Sequence, residues 1–378
     1  MSELFIHPGA VDLHDHFREP SQVNLAENFE SGTIAAAIGG YVVVNDMPNT
    51  PGRETWTAER ADEKHDRILA GSVIPTGIIY GMQPEADNVG QIPALVKMSV
   101  AGKQYYTRTQ GNDRELGPED FRAQTEAAHK ADPRRPIFVH AGEDIEGIVG
   151  MIAVDNDHPL HFCHVNNPDD VVLINNLAKR YDRTITTGVT PHHLAKTSFD
   201  TFTEGWFARM KPELATQVDS EKLFHQLVNG DIDVVETDHA PHLEEANWKA
   251  EKQNPTCEED GASCFGVENI EFALPLLFYQ AKIGRISLER IIEVTSTKPA
   301  EIIGIRLSRH TSVAWDLSHE YRINDSDVVS GSGWTPFQGK IAVGKVVDLA
   351  VSGMHIIDEG VLNTLKKMPR IVLPGAEI

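Results

Sequence analysis

The stretch AVDLHDHFREP, residues 10–20, sets His14 and His16 one residue apart and Arg18 two residues further on. It reads as part of a short strand, IHPGAVDLHDHF. Side chains of a strand alternate faces, so all three project to one side if the strand continues through Arg18. Two imidazoles held together suit a divalent metal such as zinc. The guanidinium suits a carboxylate gripped through a planar fork. Taken alone, the pair fits a solvated strand equally well. Similar residues close other apolar runs: Asn49 in NDMPNT, Lys103 in GKQYY, His140 in PIFVHAGE, and His161 and His164 in LHFCHVN. Further on come His192 and His193 in TPHH, and Asp238, His239 and His242 in ETDHAPH.

These residues need elements that bring them to one place. Eight strand-like runs are visible: AVDLHDHF, YVVVNDMP, VIPTGIIYG, VAGKQYY, PIFVHAGE, LHFCHVN, TITTGVTPHH and DVVETDHAPH. Segments of helical spacing lie between them, among them ENFESGTIAAAIGG, TWTAERADEKHDRILAG, EDFRAQTEAAHKA, PDDVVLINNLAKRY and SEKLFHQLVNG; the third and fifth connections are the weakest helices. The alternation predicts an α/β fold, a (β/α)8 TIM-type barrel over residues 1–305. ENIEFALPLLFYQAKIG and SLERIIEVTSTKPAEIIGI read as its closing helices. Residues 306–378 turn to short strands and read as a small β-rich appendage packed on the barrel. In such a barrel the strand C-termini converge on one crater, and six of the eight runs bring a metal-type residue there. The long connections at 194–218 and 239–265 fall on the same side.

Bland roles are weighed residue by residue. His161 reads better as a satisfied core histidine than as a ligand, and His164 the reverse, because their spacing leaves only one facing inward. His192 and His193 are adjacent, so at most one points inward and either can cap a loop. A lysine inside a barrel strand is costly unless it is paired or chemically modified. Asp238 follows a buried apolar run and is not merely solvated.

Composition bounds the partners. The chain has 378 residues and a formal net charge of -22. That argues against nucleic acid or an anionic membrane, and an anionic substrate has to be captured by local cations. Three cysteines make no disulfide framework, no basic-then-apolar leader opens the chain, and no run of about eighteen apolar residues occurs. A cytoplasmic enzyme is expected.

The motifs DLHDHFREP, MPNT, KQYY, VHAGE, HFCHVN, PHHL and TDHAPH, in this order, resemble those of the dihydroorotases of the amidohydrolase superfamily. The likeness runs over nearly the whole chain, including SGWTPFQGK, and extends to the dihydroorotase domain of the animal multifunctional pyrimidine enzyme. It implies reversible, zinc-dependent cyclisation of N-carbamoyl-L-aspartate to L-dihydroorotate in pyrimidine biosynthesis. His14, His16 and Asp238 would hold one zinc ion, and His140 and His164 the second. Lys103, carbamylated, would bridge the two ions. Arg18, Asn49 and His242 would grip the substrate carboxylate, Asp238 would move the proton, and Thr109 would reach the substrate from a loop. The resemblance also implies a homo-oligomer and aspartate transcarbamoylase as a partner.

Two positions depart from the pattern. Gly188 stands in GVTPHHL where relatives carry a glutamate, so that carboxylate's support is expected to be missing. Lys211 in RMKPEL stands where relatives commonly have Asn or Arg near the substrate, and lysine keeps a charge but loses the fork geometry. Two alternatives stand beside dihydroorotase. One is a hydantoinase or allantoinase, which Arg18 argues against. The other is a silent homologue that scaffolds the transcarbamoylase, which the complete ligand set argues against.

Overall fold

IHPGAVDLHDHF does not form one strand. Gly9 adopts φ +92, and a Cβ there would come within 2.4 Å of Val42 Cγ1, so only glycine permits the turn. The turn separates strand β1 (Phe5–His7) from β2 (Ala10–Val11), and the two enter different sheets. The protein is seen in a computed structural model that describes residues 4–20, 26–82, 88–105, 118–141, 145, 149, 157–243, 265–363 and 366–378.

The larger sheet runs β2, β3 (Tyr41–Asp46), β4 (Thr76–Gly81), β5 (Ala101–Tyr105), β6 (Ile137–His140), β7 (Leu160–Phe162), β8 (Ile185–Val189) and β9 (Val234–Val235) in chain order. Every neighbouring pair is parallel. All residues of β3, β4 and β5 are buried, as expected for strands covered on both faces. Each of the eight strands lies within one of the runs read from the sequence.

Helices fill the connections, and their starts are written locally. Asn28, Thr57, Asn167 and Thr216 accept backbone N–H groups at the heads of Phe29–Ile38, Ala58–Gly71, Pro168–Tyr181 and Gln217–Asn229. Gly230, left-handed at φ +88, ends the last of these. The third connection holds only the single turn Ile92–Leu95, and most of the fifth lies outside the described residues.

The first and last strands meet through polar contacts in place of a regular ladder. Asp15 bridges both Asp46 and His239, and the His16 N–H donates to the His239 carbonyl at 2.7 Å. The Thr237 N–H donates to Asp12 Oδ1 at 3.0 Å. This buried polar seam fixes the position of the His14–His16 segment against the end of β9.

The second sheet is antiparallel, in the order β1, β10 (Ser312–Arg322), β11 (Ile341–Val351), β12 (Met354–Asp358) and β13 (Val361–Leu362). β1, which precedes the barrel in the chain, is thus a strand of this sheet. Phe278, on the closing helix Ala273–Lys282, packs edge-on against both Phe5 and Trp315 and joins the sheet to the barrel. The segment between β10 and β11 reaches the barrel mouth: Ser330 Oγ donates to Glu27, and Trp334 Nε1 donates to the His242 carbonyl at 2.7 Å.

Candidate active site

Beyond β2 the chain carries His14 and His16 into the crater, and beyond β9 it carries Asp238. The two Nε2 atoms lie 3.2 Å apart, and Asp238 Oδ1 is 3.2 Å from one and 3.1 Å from the other. Neighbouring ligands of a tetrahedral ion with bonds of about 2.0–2.1 Å stand roughly 3.3 Å apart, so this triangle has the dimensions of one face of a zinc site. Next to it, His140 Nδ1 at the end of β6 lies 2.9 Å from His164 Nε2 just past β7. The His14 and His164 rings are 5.2 Å apart, so the two groups adjoin. Lys103, in the middle of β5, is buried, with its Nζ 3.1 Å from Cys163 Sγ. Among the described residues no carboxylate lies within ion-pair distance of it.

Electrostatics favours the ligand forms. Burial drives the His14, His16 and His164 imidazoles well below the ordinary histidine value, and His140 to about 3. Around His14, His140 and His164 the lysine charge pushes in the same direction. Four neutral imidazoles with nitrogens directed at one another are a donor set for cations, since metal binding needs the proton gone. Burial raises Asp238 to about 7, against the opposing pull of Lys103. A cation beside it would hold that carboxylate ionised.

Three residues around this cluster have left-handed backbones without being glycine: Arg18 at φ 56, His164 at φ 40 and Asp238 at φ 49. Each such residue costs on the order of 1–3 kcal/mol and persists only where its surroundings impose it. At His164 the imposing contact is a hydrogen bond from its backbone N–H to Glu236 Oε1 at 2.6 Å. At Arg18 the turn ends the alternation, so the guanidinium does not follow His14 and His16 by strand geometry.

Arg18 is 4 % exposed, and its Nε and Nη1 have no hydrogen-bond partner among the described residues. Burial lowers its pKa to about 10, yet leaves it charged at neutral pH. Its charge acts on His16 and His242, which places it beside the metal-type cluster. His242 is buried and donates from Nε2 to the Phe265 carbonyl at 2.8 Å. Asn49 is buried three residues past β3. Lys211 sits over the Phe265 ring at 4.5 Å, and its charge reaches His140. Thr109 lies outside the described residues.

Other histidines are turned elsewhere. His161 is held between Thr186 Oγ1 and Glu236 Oε2 at 2.9 and 3.2 Å, a satisfied core residue. His239 Nε2 pairs with Glu27 at 2.9 Å. His193 is fixed by Thr190 Oγ1 and the Pro212 carbonyl, and His192 contacts Asn269; both are buried at the head of the short helix Pro191–Ala195. Sequence reading missed two residues. One is Tyr105, buried and paired across the sheet with His140. The other is Glu236. The expected loss of a carboxylate at Gly188 is corrected by it: a Cβ on Gly188 would lie 2.4 Å from Glu236 Oε1, so that carboxylate occupies the space the glycine leaves. The only signal was its place two residues before Asp238; β9 ends at Val235 and Asp238 is left-handed, so alternation does not fix which side Glu236 faces.

The profile of the amidohydrolase family matches residues 5–311. The chain is 30% identical to a dihydroorotase of Halobacterium salinarum over 372 residues, covering 89% of this chain and 82% of that protein. It is also 30% identical to the multifunctional protein CAD of Squalus acanthias, covering 92% of this chain but 14% of that one. Among solved structures, the L-hydantoinase (dihydropyrimidinase) of Arthrobacter aurescens superposes with a TM-score of 0.84 at 22% identity, covering 98% of this chain and 88% of that one. The inactive dihydroorotase-like domain of the CAD-like multifunctional protein of Chaetomium thermophilum superposes with a TM-score of 0.75 at 19% identity, covering 99% of each chain. Both structures establish a shared fold.

Proposed function

The chain belongs to the amidohydrolase family and is a cyclic amide hydrolase, and on that premise we propose that it is a dihydroorotase, closing N-carbamoyl-L-aspartate to L-dihydroorotate and reopening it. The observation that carries this reading is Arg18. A buried guanidinium with two partnerless nitrogens is expensive unless a guest anion completes it. A cyclic amide bearing a carboxylate does so, and an uncharged ring does not. Dihydroorotase relatives at about 30% identity support the same substrate.

His14, His16, Asp238, His140, His164 and a carbamylated Lys103 would hold two zinc ions. Such a pair, when bound, lowers the pKa of water and polarises a carbonyl. The chain's own residues then do the following. Arg18, with Asn49 and His242, binds the substrate carboxylate and orients the ring so that its amide carbonyl faces the donor cluster. Asp238 accepts a proton from the attacking water and returns it to the ring nitrogen as the amide opens; in the closing direction it carries the proton the other way. Carbamylation converts the Lys103 ammonium into an anion, which would suit a site whose neutral imidazoles hold cations. Thr109 is proposed to contact the substrate.

A substrate panel tests the reading. Dihydroorotate, hydantoin, dihydrouracil and allantoin are assayed with the zinc content measured on the same sample. Dihydroorotate is expected to be the preferred substrate. Preference for an uncharged ring would make the chain a hydantoinase-type enzyme. Bound zinc without turnover of any of them would make it a silent homologue. Cytoplasmic location, self-association and association with aspartate transcarbamoylase belong to the same proposal. Among the described residues no helix is long and apolar enough to cross a membrane.

A further inference from the structure

Glu236 is 0% exposed and reaches both halves of the donor cluster. Its Oε1 accepts the backbone N–H of His164 at 2.6 Å, and that residue is held left-handed. Its Oε2 lies 3.7 Å from His14 Nδ1, a buried nitrogen with no hydrogen-bond partner. The other side of the same oxygen meets His161 Nε2 at 3.2 Å. His14 Nε2 faces His16 and Asp238, so Nδ1 is the nitrogen left to carry the proton. A carboxylate on the far side of a ligating imidazole fixes its tautomer and ring orientation and raises its basicity.

We propose that Glu236 is the positioning residue of the metal centre, orienting the His14 ring by the attraction of its charge for Nδ1–H across 3.7 Å and His164 by a hydrogen bond to its backbone, and that it does so because Gly188 leaves room for it. The inference rests on reading the cluster as a zinc site. Gly188 on β8 and Glu236 just past the end of β9 thus act together. Any side chain at 188 would begin 2.4 Å from Glu236 Oε1 and 2.7 Å from its Cδ. The crowding is with the carboxylate and with His161 Nε2 at 3.1 Å, and with no backbone atom among the nearest neighbours. Gly188 is not among the positive-φ residues, so its backbone tolerates a side chain once Glu236 is shortened. A carboxylate offered from position 188 would then enter the same space.

The test is zinc affinity, measured on the metal-stripped full chain by competition with a chromophoric chelator. Melting of the metal-free form monitors the fold. Glu236→Ala is expected to weaken zinc binding by about 10–100-fold, the range for loss of such a partner. Glu236→Gln should fall between, since it keeps an acceptor for His164 but loses the charge facing His14. Gly188→Asp/Glu236→Ala should recover most of the affinity, and Gly188→Asn/Glu236→Ala, which refills the space without charge, should not. Unchanged affinity in a folded Glu236→Ala variant overturns the inference, as does equal rescue by the asparagine, which would make the role packing alone. A parent chain that takes up no zinc overturns both this inference and the metal-site reading. A parent that binds zinc and opens dihydroorotate, alongside an indifferent Glu236→Ala, overturns this inference alone.

Discussion

Replacing Arg18 by lysine isolates the carboxylate grip. The site's left-handed backbone (φ 56) is equally awkward for both side chains, because both carry a Cβ, so the substitution changes the head group and not the strain. Two guanidinium nitrogens, Nε and Nη1, have no hydrogen-bond partner among the described residues. Lysine offers a point charge in place of that fork. Loss of a buried, charge-assisted bidentate contact costs on the order of 2–4 kcal/mol of transition-state binding. At 1.36 kcal/mol per decade this is a fall of roughly 30- to 1000-fold in kcat/KM for dihydroorotate. Ring opening is followed spectrophotometrically, with zinc content and dihydrouracil hydrolysis measured in parallel. Zinc should stay unchanged, because Arg18 touches none of the donor atoms in the His14–His16–Asp238 triangle. Dihydrouracil has no carboxylate, so its hydrolysis should be nearly indifferent. An equal loss on both substrates, or loss of zinc, would refute the reasoning and make Arg18 structural.

Other outcomes follow from the same geometry. Lys103→Ala should abolish activity and lower metal content, with partial recovery on adding short carboxylic acids; full metal and full rate in the variant would exclude the bridging role. Chelation should remove activity, and added zinc should restore it. The metal-free protein should lose stability as pH falls below about 6.5, since His140 and His242 titrate near 3 when folded and take protons only on unfolding. Each depressed histidine contributes a slope of about 1.4 kcal/mol per pH unit between those values. His242→Asn should flatten the apo melting curve against pH, and an unchanged slope would count against the burial argument. Trp334→Phe removes the hydrogen bond to the His242 carbonyl, a contact of 2.7 Å. It should cost about 0.5–1.5 kcal/mol of stability, read from denaturant melts, and raise KM for dihydroorotate more than it lowers kcat.

Residue chemistry and local periodicity were enough for much of the molecule. The eight strands lie inside runs such as YVVVND and TGIIYG because fully buried parallel strands must be apolar along their length. Pro168–Tyr181 was legible from its helical spacing, and the structure adds the Asn167 cap at its head. Donor types at the strand ends pointed to a metal centre, and a buried-strand lysine pointed to a partner or a modification. What the sequence left open depends on contacts between distant segments. Gly9 divides the first apparent strand because Val42 lies against it. The turn at Arg18 ends the alternation that local reasoning extended. The His161 and His239 rings are taken up by Glu236 and Glu27, whereas the His164 ring faces His140. Thr237 and Asp12, which seat the His14–His16 segment, are 225 residues apart. Placing Glu236 in the gap at Gly188 requires knowing that β8 and β9 are neighbours in register, Gly188 beside Val234. Period-two and period-3.6 patterns report which face of an element is buried, and closure of the barrel decides which side chains from different strands share one point in space.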